Sequence, residues 1–128
     1  MAAYLDAGVL YALMKERDFN KPYAEKIASL KTKKCTSAVT LLELEIVIKR
    51  EISNSLSLGV SKWARRAVPG LKIIPLTSGQ FEKSLHLRLD YGLGIFDAVH
   101  AAAALDAGGE IASTDRVFDR IPGLKRIA

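Results

Sequence analysis

Five short apolar runs, each set apart by a segment with helical periodicity, constrain this chain more than any other feature of its 128 residues. The runs fall at 3–5, 35–39, 71–76, 110–113 and 124–127. Between the first two, Val9, Leu10, Leu13 and Met14 recur at helical spacing over 7–16, and a second amphipathic stretch covers 22–30, with Pro22 suited to a first turn. Thr40-Leu41-Leu42-Glu43 reads as a capping box that opens a helix running to Arg50. Further helices are expected over 60–68, 80–89 and 115–120, with turns at 53–57 and at Pro69-Gly70. The strongest helix signal is Asp97-Ala98-Val99-His100-Ala101-Ala102-Ala103-Ala104-Leu105, rich in the best helix former and stopped by Gly108-Gly109. Strands joined by crossover helices pair in parallel, because a hairpin cannot make that connection. The expected fold class is therefore α/β: a three-layer α/β/α sandwich around a central parallel five-stranded sheet, with 1–128 as a single domain. Pro75 cannot donate a ladder hydrogen bond, which sends the third strand to an edge.

Composition then removes whole classes of chemistry. Hydrophobic residues make up 49% and charged residues 26%, a globular balance and not a disordered one. The apolar stretch 2–14 is interrupted by Asp6, is too short to span a bilayer and lacks the basic start and cleavage site of a signal peptide. It reads as core, so the expectation is a cytoplasmic protein with no membrane partner. Cys35 is the only cysteine, which rules out an internal disulfide and a cysteine zinc site and leaves it as a small buried hydrophobe. His86 and His100 are too few and too far apart for a histidine metal site. The net charge of +5 includes Lys31, Lys33 and Lys34 in one run and Lys62, Arg65 and Arg66 in another. Such a surplus suits contacts with a polyanion, and it equally suits a solvated charged face.

What remains is carboxylate chemistry, and four acids share an address. Asp6 ends the first strand, Glu43 lies just past the second, Asp97 opens the alanine-rich helix and Asp115 follows the fourth strand. The carboxyl ends of strands in an open parallel sheet line the crevice where ligands bind. Each acid alone has a structural explanation: the three aspartates as helix caps, Glu43 as the last member of its capping box. Four together repel one another unless a cation lies between them. Mg²⁺ and Mn²⁺ are the hard, oxygen-seeking ions that suit such a set.

Four segments, in order, resemble the PIN-domain family, most closely its small stand-alone members, the VapC-like toxins of toxin–antitoxin pairs. They are Tyr4-Leu5-Asp6 with Ala7-Gly8-Val9-Leu10; Thr36 through Leu44; Phe96-Asp97-Ala98-Val99-His100-Ala101-Ala102; and Ser113-Thr114-Asp115 with Phe118 and Ile121-Pro122-Gly123-Leu124. The resemblance implies an endoribonuclease that hydrolyses phosphodiesters in single-stranded or structured RNA with Mg²⁺ or Mn²⁺, leaving a 5′-phosphate and a 3′-hydroxyl. By position, Asp6, Glu43 and Asp97 would be the core metal-binding and catalytic acids, and Asp115 the fourth, more variable one. Ser113, Thr114 and Thr40 would be supporting hydroxyls. A small antitoxin protein and a homodimer are the implied partners. The stretch 53–80 matches least and carries no functional inference.

His100, one turn beyond Asp97, and Tyr4 and Tyr11 read as packing residues; Asp119, one turn beyond Asp115, is a lesser candidate for the site. A phosphatase of the haloacid dehalogenase type needs a second aspartate where Gly8 stands. A receiver domain needs an acid after its third strand, where Leu76-Thr77-Ser78 stands. The competing reading is a non-catalytic PIN-like module that binds RNA or protein.

Overall fold

The computed structural model describes residues 2–51 and 59–127. β1 (Ala3–Leu5) leads into α1 (Ala7–Met14) and α2 (Lys21–Ser29), then β2 (Lys34–Ser37), α3 (Ala38–Glu51) and α4 (Val60–Ala67). β3 (Lys72–Ile74), α5 (Ser78–Tyr91), α6 (Ile95–Ala107), β4 (Glu110–Ala112), a short 3₁₀ helix (Arg116–Arg120) and β5 (Lys125–Ile127) follow. The five strands form one sheet in the order β3-β2-β1-β4-β5, and every neighbouring pair is parallel. The turn expected at 53–57 lies outside the described residues.

Alternation along the strands divides the core into two. Tyr4 is in register with Cys35 and Ile111, and all three face the layer built from α5 and α6. Leu5 and Ala112, one position on, face the opposite way and pack with Val9, Leu10, Ile27, Leu44 and Ile48 from α1, α2 and α3. This is the period-two signature of a sheet covered on both faces, so the sandwich has three layers. In α6 the run Ala98 to Ala104 is buried on every side. Small side chains let this helix approach the sheet and α5 together.

The boundary between β2 and α3 departs from the expectation. The strand ends at Ser37, not Val39, and the helix starts at once. Ser37 Oγ accepts from the Val39 amide at 3.0 Å, which does the capping that had been assigned to Thr40. Thr40 therefore sits inside the helix on the buried stripe Thr40, Leu44 and Ile48, and no Thr40–Glu43 capping box forms. A capping box does occur at α5, where Thr77 and Gln80 bond each other's backbone amides at 3.1 and 3.4 Å. It sets that helix two residues earlier than its apolar pattern suggests. β3 lies at an edge as expected but stops at Ile74, before Pro75.

Candidate functional site

The chain moves outwards from β1 to β2 and β3, then returns to lay β4 and β5 on the other side of β1. The reversal places a crevice between the carboxyl ends of β1 and β4, where open parallel sheets bind ligands. Asp6 immediately follows β1 at this point. Its backbone amide reaches the Ala112 carbonyl at 3.3 Å, and its side chain caps α1 by accepting from the Val9 amide at 3.0 Å. Asp115 follows β4 and is exposed; it caps the 3₁₀ helix by accepting from Val117 N at 2.9 Å. Glu43 comes from the second turn of α3. Asp97 is the third residue of α6, whose capping position belongs to Gly94, so Asp97 is not an N-cap. The Ala2 amide donates to the Ala107 carbonyl at 3.1 Å, tying the far end of α6 to the start of β1. The first turn of α6, with Asp97, therefore lies at the carboxyl ends of the strands.

Electrostatics report how near these acids are. Burial pushes the Asp6 carboxyl above its ordinary value, and the charge on Glu43 pushes the same way, against the Ser113 hydroxyl, the Val9 amide and His100. Burial likewise raises the Asp97 carboxyl, and the charges on Asp115 and Glu43 add to it, with His100 opposing. Asp6 thus feels Glu43, and Asp97 feels Asp115 and Glu43. The donors are all hard carboxylate oxygens, and gathered like charge disfavours ionisation unless a cation compensates. Among the described residues no three His, Cys, Asp or Glu side chains converge closely enough to form a ready metal cage. A donor set made only of carboxylate oxygens has the chemistry that would suit Mg²⁺ or Mn²⁺, which take hard oxygen ligands.

The expected supporting hydroxyls separate into distinct situations. Ser113 is fully buried, and its Oγ accepts from the Asp115 amide at 3.0 Å, so it orders the turn that carries Asp115. Thr114 is exposed. Thr40 is fully buried and lies 3.0 Å from Tyr4 Oη. Asp119 pairs with Arg126 of β5 at 3.0 Å.

Three contributions were not visible in the sequence. His100 Nε2 lies 2.9 Å from Glu43 Oε1, while Nδ1 lies 2.7 Å from Tyr4 Oη, so neither His100 nor Tyr4 is only a packing residue. The Ser113 carbonyl accepts from Tyr23 Oη at 3.3 Å and from the Arg126 guanidinium at 3.2 Å, and Tyr23 also donates to the Ile127 carbonyl. These donors clamp the β4 exit. Tyr11, expected in the core, packs half-buried against it and also donates to Glu51 at 2.7 Å. The His100, Tyr23 and Arg126 contacts cross 57, 90 and 13 positions and left no local pattern.

A cleft of about 340 Å³ adjoins the acids between α1 and α3, lined by Gly8, Tyr11, Glu43, Val47 and Arg50. A larger one, about 440 Å³, opens at the amino ends of the strands beside Lys33, Lys34 and Lys72, remote from the four acids. Among the described residues no helix is long and apolar enough to cross a membrane.

The fold and the acids define a class: a parallel α/β domain with an acidic crevice at its strand-order reversal. Within that class, the chain belongs to the PIN domain family, whose model matches residues 3–124. Solved structures share the fold over nearly the whole chain. A toxin–antitoxin complex from Klebsiella pneumoniae is 22% identical with a TM-score of 0.73, covering 99% of this chain and 97% of the other. VapC20 of Mycobacterium tuberculosis, described as a sarcin-ricin loop cleaving toxin, is 17% identical with a TM-score of 0.78, covering 93% and 94%. VapBC2 from Rickettsia felis, bound to a DNA fragment from its promoter, is 20% identical with a TM-score of 0.74, covering 99% and 98%. No curated protein sequence matches the chain.

Proposed function

We propose that this protein is a Mg²⁺- or Mn²⁺-dependent endoribonuclease and the toxin of a toxin–antitoxin pair, acting in the cytoplasm on single-stranded or structured RNA. The observation that supports this reading is that, at the strand-order reversal of a PIN fold, Asp6 is raised by burial and by Glu43, and Asp97 by burial, Asp115 and Glu43. Asp6, Glu43 and Asp97 are the proposed core metal-binding and catalytic residues, with Asp115 as the fourth. When bound, the ion supplies charge neutralisation at the scissile phosphate and a lowered pKa for the attacking water. The protein's own part is to orient the carboxylates. Asp6 is fixed by its cap to Val9, Asp115 by the Ser113 turn, and Glu43 by His100. The net charge of +5 favours a polyanionic substrate.

The partners follow from the relatives, several of which are toxin–antitoxin complexes, and from exposed apolar side chains. Phe81, Leu85 and Leu89 on α5, and Leu42 and Ile46 on α3, are spaced one turn apart and exposed. Such stripes suit contact with a small antitoxin or with a second copy in a homodimer.

The test is cleavage of end-labelled single-stranded RNA by the purified protein with Mn²⁺ or Mg²⁺, beside lanes with EDTA and with Asp97→Asn. Cleavage that disappears in both controls is the expected result. A protein that neither cleaves RNA nor binds Mn²⁺ contradicts it and favours the non-catalytic module.

A further inference from the structure

Beneath the acids, buried polar side chains from three elements form one connected set. Tyr4 of β1 and Thr40 of α3 are fully buried and His100 of α6 is 2% exposed. Tyr4 Oη lies 3.0 Å from Thr40 Oγ1 and 2.7 Å from His100 Nδ1, which fixes the ring from its inner side. The outer nitrogen, Nε2, lies 2.9 Å from Glu43 Oε1, whose side chain is 27% exposed at the rim of the crevice.

A carboxylate only accepts, so the proton in the His100–Glu43 bond is on Nε2. The neutral ring that satisfies every contact carries its proton there, accepts at Nδ1 from the Tyr4 hydroxyl, and leaves Tyr4 to accept from Thr40. An imidazolium would donate to Glu43 in the same way. Among the described residues no other side chain bonds Glu43, so Oε2 is left free.

We infer that His100 is a positioning residue for Glu43, holding Oε1 so that the carboxylate keeps one orientation at the crevice, where it would help to hold a divalent cation. This rests on the metal-nuclease reading above. Glutamate has three rotatable bonds, and an unheld carboxylate at the rim would spread over many rotamers. A ring anchored at Nδ1 and donating through Nε2 restricts that spread, as outer partners do for metal-binding groups generally. A histidine that only filled space would have no reason to direct its free nitrogen at one of the four acids. Thr40 and Tyr4 act one step further back, by keeping the ring from turning.

The test compares wild type with His100→Leu and His100→Gln, measuring Mn²⁺ affinity by electron paramagnetic resonance together with kcat and KM for RNA. Leucine keeps the volume and removes the donor; glutamine carries an N–H that can take the place of Nε2–H. The expected result is a loss of Mn²⁺ affinity of about tenfold or more in His100→Leu. Its kcat should fall while KM for RNA stays put, and His100→Gln should recover most of both. Wild-type affinity in His100→Leu, or a glutamine variant as impaired as leucine, overturns the inference. Should His100→Leu fail to fold, the double variant Tyr4→Phe/Thr40→Val serves. Both changes are needed because Thr40 Oγ1 is 3.4 Å from Nδ1 and could replace Tyr4. It should weaken Mn²⁺ binding without touching Glu43, and unchanged affinity overturns the inference. A wild-type protein that binds no Mn²⁺ overturns the metal reading and this inference together; binding that is indifferent to His100 overturns this one alone.

Discussion

Asp97, a proposed metal-binding acid, sits where its charge works against the fold. Folding raises its pKa above the ordinary 3.8, first through burial and then through Asp115 and Glu43. The protonated carboxyl therefore favours the folded state. That contribution is fully present below the unfolded value and is lost as pH rises through the folded one. At neutral pH without metal, the ionised side chain is a burden. Asp97→Asn should accordingly melt at the same temperature as wild type or higher at pH 7 in EDTA, with the gap closing as pH falls towards 4. A variant that melts lower at pH 7 would mean that the carboxylate is held by stabilising contacts. The four acids could be picked out as candidates from the sequence, because Asp6 directly follows β1 and Glu43 and Asp115 come within a few residues of the ends of β2 and β4. What holds them could not. Tyr4, Thr40 and His100 are 36 to 96 positions apart, and only the packed layers bring their polar atoms within bonding distance. Thr40 was assigned to a cap because Thr-x-x-Glu is a real capping signal, but Ser37 competes for the same helix end and wins.

Among the elements, α6 and its exit carry the most constraint. Gly109 has φ +90° and receives the chain at the end of the helix, with its amide on the Ala104 carbonyl at 2.9 Å and its carbonyl on the Lys125 amide at 2.7 Å. A Cβ there would stand 2.8 Å from the Gly123 carbonyl oxygen. Strained backbone and steric overlap thus coincide. Gly109→Ala should cost about 1–3 kcal/mol, measured by chemical denaturation. A loss below about 0.5 kcal/mol would show that the α6–β4–β5 corner relaxes freely. Gly108-Gly109 was readable as a helix stop for this reason. Helix and strand identities were readable throughout the described residues because their apolar periods differ. Their ends were less so: β2 and β3 finish two residues early, one because Ser37 starts a helix and the other because Pro75 has no amide to offer.

At the scale of the whole molecule, the site is a consequence of topology. Strand order β3-β2-β1-β4-β5 brings the ends of β1 and β4 side by side, and the antiparallel course of α6 returns Asp97 to the same edge. Parallel pairing followed from the alternation of strands and helices, but the order of strands is a matter of long-range packing that composition and periodicity do not encode. The family likeness implied a five-stranded parallel sheet without its order, and residues 3–124 match the PIN domain. The two faces of the sheet do separate work. Mostly apolar layers build the fold, and towards the carboxyl edge Tyr4, Thr40 and His100 carry polarity into the interior. The central claim is that this edge exists to hold a divalent cation among Asp6, Glu43, Asp97 and Asp115. The most direct measurement is anomalous diffraction from crystals of the protein grown or soaked with Mn²⁺. The account predicts an anomalous peak within coordinating distance of at least two of these carboxylates, absent from crystals of Asp97→Asn. A fully occupied peak elsewhere, or none in crystals where the four acids remain accessible, would contradict it.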